Sequence, residues 1–149
     1  IRIGAKALGC NTPNRDLLVS PQHRVLVRSK IAERIFGQAD VLIPAAKLVD
    51  LDGITVAHDL TDVTYYHFLF DDHQLVFSNG ALTESLFTGP QAMKSISDQS
   101  RAEIIEIFPE MASPEFRPQP ARLLPEKGRA IRNLVARHIK NDKPLVSVF

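Results

Sequence analysis

Apolar positions along the chain repeat with a period of two in its middle and with a period near 3.6 towards its end. Leu17–Val19 and Val25–Val27 are short branched runs separated by Ser20, Pro21, Gln22 and His23. That pattern predicts strand, tight connection, strand, with His23 held in a hairpin or sharp corner. Arg2–Ile3 reads as a strand already under way. Ala32–Phe36 is short for a helix and is stopped by Gly37, and Val41–Ile43 is a further strand ending at Pro44. Ala45–Val49 has room for one helical turn, and Asp50–Gly53 reads as a turn.

From Ile54 to Phe70 the chain is rich in β-branched and aromatic residues, and Val63, Tyr65 and His67 alternate with Thr64, Tyr66 and Phe68. A strand is predicted there. Asp71, Asp72 and His73 form a turn, Gln74–Phe77 another strand, and Ser78–Asn79–Gly80 a turn that favours positive φ. These elements make the middle of the chain a β-meander.

After Ser97 the period changes. Ser97 or Asp98 can cap a helix whose apolar face is Ala102, Ile104, Ile105 and Phe108, ended by Pro109. Prolines at 109, 114, 118, 120 and 125 predict an extended, semi-rigid linker, with residues 110–124 along the surface. Pro125–Lys127 then opens a helix in which Ile131, Leu134, Val135, His138 and Ile139 recur at helical spacing. Its basic outer side reads as a solvated face, and the Leu145–Phe149 tail is apolar enough to dock as a strand. The fold class is therefore mainly β with a C-terminal extension of about two helices.

Composition narrows the function. The 149 residues are 44% apolar and 23% charged with a formal net charge of +1, ordinary for one globular domain with an appendage. Interspersed charges of both signs give no footprint for nucleic acid or an anionic membrane. No apolar run approaches the roughly 18 residues that a spanning helix needs, and Ile1–Asn14 lacks the order of a signal peptide. The single cysteine, Cys10, has no internal disulfide partner. It reads as an incidental thiol with no base near it in sequence. The first residue is Ile, which suggests a processed or excised piece.

Ser20 and His23, three residues apart in a turn, can both be aimed at one carbonyl or amide. Acyl chemistry needs an acid for a leaving amine and a donor for an oxyanion, roles open to His and to Ser or a backbone N–H. The competing reading is a corner histidine bonded to backbone. His58, Asp59 and Asp62, like Asp71–His73, have metal-ligating side chains, but solvated polar loops explain them and no metal or cofactor is expected.

Leu18–Val19–Ser20–Pro21–Gln22–His23–Arg24–Val25 resembles the block of the Hint (hedgehog/intein) domain in which Thr or Ser, two further residues and then His follow one another. Tyr66 to Gly80, with Asp71–Asp72–His73 and Asn79–Gly80, is similar to the late Hint block of strand, acidic turn, His, strand, Asn-Gly. With Phe36–Gly37, Val41–Pro44 and Thr83–Leu86, the match is strongest to the bacterial Hint subfamily of the Hint_2 type. The resemblance implies a Hint-like β domain over 1–87, lacking the N-terminal block with the nucleophile, and a helical extension over 88–149 with its linker at 109–125.

It also implies autoproteolysis in the parent protein. A Cys or Ser at the head of the domain attacks the preceding carbonyl in an N-to-S or N-to-O acyl shift, dividing amide cleavage into two acyl transfers. His23 would then protonate the departing nitrogen, Ser20 orient the scissile peptide, and His73 correspond to the late-block histidine. Glu84–Ser85 stand where an intein has His–Asn, so splicing by Asn cyclisation is not implied, whereas hydrolysis or transfer to an outside nucleophile is. The chain alone is expected to be inactive. The implied substrate is its own upstream polypeptide, and the implied placement is secreted or cell-surface. A separate N-terminal fragment or a homodimer could cover open sheet edges. The alternative is a non-catalytic β scaffold or interaction module using Arg129–Lys140 and Leu145–Phe149.

Overall fold

The computed structural model describes residues 1–148 and the side chains of all of these except Pro90, Gln91 and Ser95. Two antiparallel sheets carry the β-rich part. Strand β1 (Arg2–Ile3) lies between β2 (Leu17–Leu18) and β5 (Ile54–Thr55), and the larger sheet runs in the order β4 (Asp40–Pro44), β3 (Arg24–Arg28), β7 (Ala81–Glu84), β6 (Leu75–Ser78). Because β2 and β3 belong to different sheets, Ser20–His23 is a corner and not a hairpin.

The β3–β4 ladder pairs Val25 with Ile43, Leu26 with Leu42 and Val27 with Val41. All six side chains are buried. That accounts for the unbroken apolar runs in both strands, since a sheet covered on both faces needs no alternation. At the other side of the sheet, Asn79 (φ 49°) and Gly80 (φ 81°) form the expected tight turn between β6 and β7.

Three expectations change. Residues 30–36 do form a helix, α1 (Lys30–Phe36), because both of its ends are capped. Ser29 Oγ accepts from Ala32 N–H at 3.0 Å, and Gly37 takes a left-handed φ of 75°. The long strand over Ile54–Phe70 shrinks to Ile54–Thr55. Residues 62–70 have no ladder partner among the described residues, and Tyr66 and Phe68 are 85% and 63% exposed. Alternation here has no buried face to serve, and among the described residues one backbone bond, from Leu86 N–H to Phe68 O, ties the segment to the stretch after β7. Helix α3 (Asp98–Ile107) is capped by Ser97 as expected but buries none of its residues.

The helical part consists of α2 (Pro90–Ser95), α3 and α4 (Gly128–Lys140). Ile131, Leu134 and Val135 of α4 enter the cluster that also holds Ile3, Val27, Ile43 and Ile54. Ile139, at the edge of the same helical stripe, is 52% exposed. The tail docks beside β3: Arg28 N–H donates to Leu145 O, Ser147 N–H to Arg28 O, and Val146 N–H to Leu8 O. Phe149 lies outside the described residues.

Candidate functional site

The corner between the two sheets is fixed by backbone bonds, which leaves its side chains available. His23 N–H donates to Ser20 O at 3.1 Å. The 3-10 turn Ala45–Lys47 returns two more bonds, Ala45 N–H to His23 O and Ala46 N–H to Pro21 O. The ring of His23 is therefore carried on a rigid backbone, and its Nε2 is buried with no hydrogen-bond partner among the described residues. A buried ring nitrogen of this kind is uncommon enough to call for an explanation.

A cavity of about 120 Å³ lies against that ring, bounded by Ser20, His23, Arg24, His67, Glu84 and Ser85 among others. With water occupying roughly 30 Å³, the space suits a peptide unit or a few waters. A second cleft of about 220 Å³ shares Ser20, His23 and His67 and is also lined by Tyr65 and Tyr66. The His23 and His67 rings are 6.1 Å apart between centroids, tilted by 35°.

Glu84 supplies the fixed negative charge. Its Oε1 accepts from Arg24 N–H at 2.8 Å, and Arg24 Nη1 reaches Oε2 at 3.0 Å. His73 Nε2 is 3.2 Å from Oε2, close enough for attraction but off the line of a well-formed hydrogen bond. Burial pushes the Glu84 carboxyl up; the His73 and Arg24 contacts outweigh it and hold the group below the usual glutamate range. Burial is also the main influence on His23 and pulls its imidazole down. Glu84 opposes that shift, while His67 and Arg24 add to it. The ring is therefore neutral near pH 7 and has a carboxylate nearby to steady it when a proton arrives.

Of the three residues singled out from the sequence, Ser20 and His23 share the cavity. His73 stands behind Glu84, packed on Phe87 at 4.9 Å between centroids, with its Nδ1 accepting Ala121 N–H at 3.0 Å. Sequence reasoning missed Arg24 and His67 as members of the site and read Glu84 only as the place of a missing His–Asn pair. A charged residue at the end of an apolar strand was the available signal. Its partner, some 60 positions away, was not visible.

The other candidate polar groups have local explanations. Asp59 Oδ2 is bonded to Arg2 Nη2 at 2.8 Å. Among the described residues no group of three or more His, Cys, Asp or Glu is arranged to hold a metal ion, and no helix is long and apolar enough to cross a membrane.

Comparison with known proteins yields no match to a curated protein and none to a solved structure. The family model described as the Hint domain matches residues 1–90, a span that holds the corner, the late strand pair and all the residues lining the cavity but Ala92. The chain belongs to the Hint domain family.

Proposed function

We propose that the cavity at Ser20 and His23 is the acid–base site of a self-processing reaction in the parent protein. The partnerless, buried Nε2 of His23 in a peptide-sized space is the observation that carries this reading. The β1–β2 register adds to it. Arg2 pairs with Leu18, and Ile1 and Val19 exchange both backbone bonds, at 2.8 and 3.0 Å. In a polypeptide with residues ahead of Ile1, the next antiparallel pair sets the preceding residue opposite Ser20. In that non-hydrogen-bonded pairing, Cα atoms approach to about 4.5 Å.

A Cys or Ser at that position gives its side-chain proton to the neutral His23 imidazole and attacks the carbonyl carbon before it. The C–N bond breaks, the nitrogen leaves as an amine with a proton from His23, and an ester or thioester remains. Water or an outside nucleophile then releases the upstream segment. Ser20 orients the scissile peptide. Glu84 steadies the imidazolium, and His73 acts through Glu84.

The test is mass spectrometry of the parent polypeptide carrying the residues ahead of Ile1, with and without dithiothreitol, beside a His23→Ala variant. Thiol-stimulated cleavage lost in the variant supports the reading, and an intact mass in every condition removes it. The alternative, a non-catalytic interaction module, is favoured by one observation: Phe77 on the edge strand β6 is 79% exposed, as Tyr66 and Phe68 also are exposed. Concentration-dependent dimerisation on a sizing column, lost in Phe77→Ser, is the result expected of that module.

A further inference from the structure

The segment after the matched region returns to the pocket from behind. Residues 121–123 lie along β4, where Leu42 N–H donates to Leu123 O at 2.9 Å and Val41 forms a parallel bridge with Leu123. Arg122 Nε reaches Asp40 Oδ2 at 3.3 Å, the carboxylate that Arg28 already grips at 2.7 Å. Backbone and charge thus fix this short run against the sheet, with Pro120 limiting its freedom on one side.

From that position Ala121 N–H donates to His73 Nδ1. A ring nitrogen that accepts such a bond carries no hydrogen, so the neutral ring has its hydrogen on Nε2. Nε2 faces Glu84, and Phe87 packs on the ring. His73 has little freedom to turn away.

We propose that residues 121–123 are a positioning strap whose Ala121 N–H holds the His73 ring with Nε2 on the Glu84 side, so that the carboxylate is kept in place beside His23 and Ser20. The strap lies outside the residues that match the Hint model. Processing machinery therefore extends into the linker and is not confined to the sheets. The strap's link to catalysis rests on the function proposed above; its effect on His73 and Glu84 does not. Ala121 touches no reacting atom and is a positioning residue. The charged and titratable groups around Glu84 are Arg24 from β3, His23 from the corner and His73 from the turn before β6.

Two substitutions separate the donor from the side chain. Ala121→Pro deletes the N–H, whereas Ala121→Gly keeps it. With isotopically labelled 149-residue chain, nitrogen spectra of the unaltered protein should report His73 with Nδ1 bare and Nε2 protonated. Carboxyl titration of Glu84 should give one midpoint for wild type and Ala121→Gly and a higher one for Ala121→Pro, because the His73 contact lowers it. His73→Phe keeps an aromatic ring against Phe87, removes the N–H, and should raise the Glu84 midpoint likewise. If the proline variant does not fold, the nitrogen spectra decide whether Ala121 holds the ring, and His73→Phe decides whether the held ring acts on Glu84.

A protonated Nδ1 in the unaltered protein overturns the strap. So does an unmoved Glu84 midpoint in a folded Ala121→Pro or His73→Phe protein. In the cleaving polypeptide, Ala121→Pro should move the acid limb of the pH–rate profile upward in step with Glu84. A limb that stays put while Glu84 moves overturns the strap's role in processing. If the unaltered polypeptide does not cleave at all, the proposed function fails, and the strap stands or falls on the spectra.

Discussion

Two half-hidden or buried histidines invite comparison, because burial pulls both below the ordinary value of 6.5 while their surroundings differ. His138, on α4, is 1% exposed and satisfied at both ring nitrogens: Nδ1 lies 3.0 Å from Lys143 O, and Nε2 lies 3.0 Å from Ser29 Oγ. The carbonyl can only accept, so Nδ1 carries the hydrogen and Nε2 accepts from the Ser29 hydroxyl. That hydroxyl in turn accepts from Ala32 N–H and caps α1. His23, at the corner, has a buried Nε2 that meets a cavity instead of a partner. A paired network ties two helices together, whereas the unpaired nitrogen at the corner opens onto space.

Removing each ring sharpens the contrast. His23→Ala should slow cleavage of the parent polypeptide by about 10² to 10⁴-fold, the range for losing a general acid, with little change in its melting temperature. His138→Ala should do the reverse. A cavity next to Leu134 and an unpaired Ser29–Lys143 set cost about 2–4 kcal/mol, seen as a lower urea midpoint. If His138→Ala melted like wild type, the distinction between the two regions would collapse.

Gly9→Ala tests the tail that buttresses the His138 side. A Cβ there would strike the Pro144 side chain and come within 2.7 Å of Val146 O, at a φ of 98° that disfavours any side chain. A loss of about 1–3 kcal/mol is expected by chemical denaturation.

The smallest effect is on pH. The unfolded chain takes up protons at His23 and His138 near 6.5, and the folded protein does so only at lower pH. The unfolded state therefore binds more protons as pH falls. The stability from these two groups is complete above about pH 6.5 and declines below it until each folded-state pKa is reached. Calorimetry from pH 7.5 to 5 should show a midpoint falling by a few degrees, with a shallower slope in a His138→Gln protein. Glu84, held low, contributes stability above its ordinary 4.5 that is lost on further acidification through its folded pKa.

The contrast between the two histidines was only partly legible in the sequence. Helical spacing put His138 on the apolar face of α4, and the Ser20–His23 spacing put His23 in a turn, because both facts depend on neighbours within a few residues. What surrounds each ring depends on residues far away in sequence: Ser29 at Nε2 of His138, and Glu84 and His67 around the cavity beside His23. The same holds for His73, whose partner Ala121 offers a backbone N–H and hence no side-chain signal at all. Alternation at Val63–Phe68 misled for the opposite reason: the local pattern was present, but no ladder formed to use it. Helix α1 forms despite its short apolar pattern because Ser29 and Gly37 cap its two ends together.

The tail that bonds to Arg28 and Leu8 also bears on timing. The ribosome makes Val27 and Ile43 long before Ile131, Leu134 and Leu145, yet these residues close one core. Strands from the first third of the chain must wait, incompletely covered, until residues 131–147 emerge. Synthesis order therefore acts as a delay on assembly, and a site that relies on this core is completed only after residues 131–147 have been made.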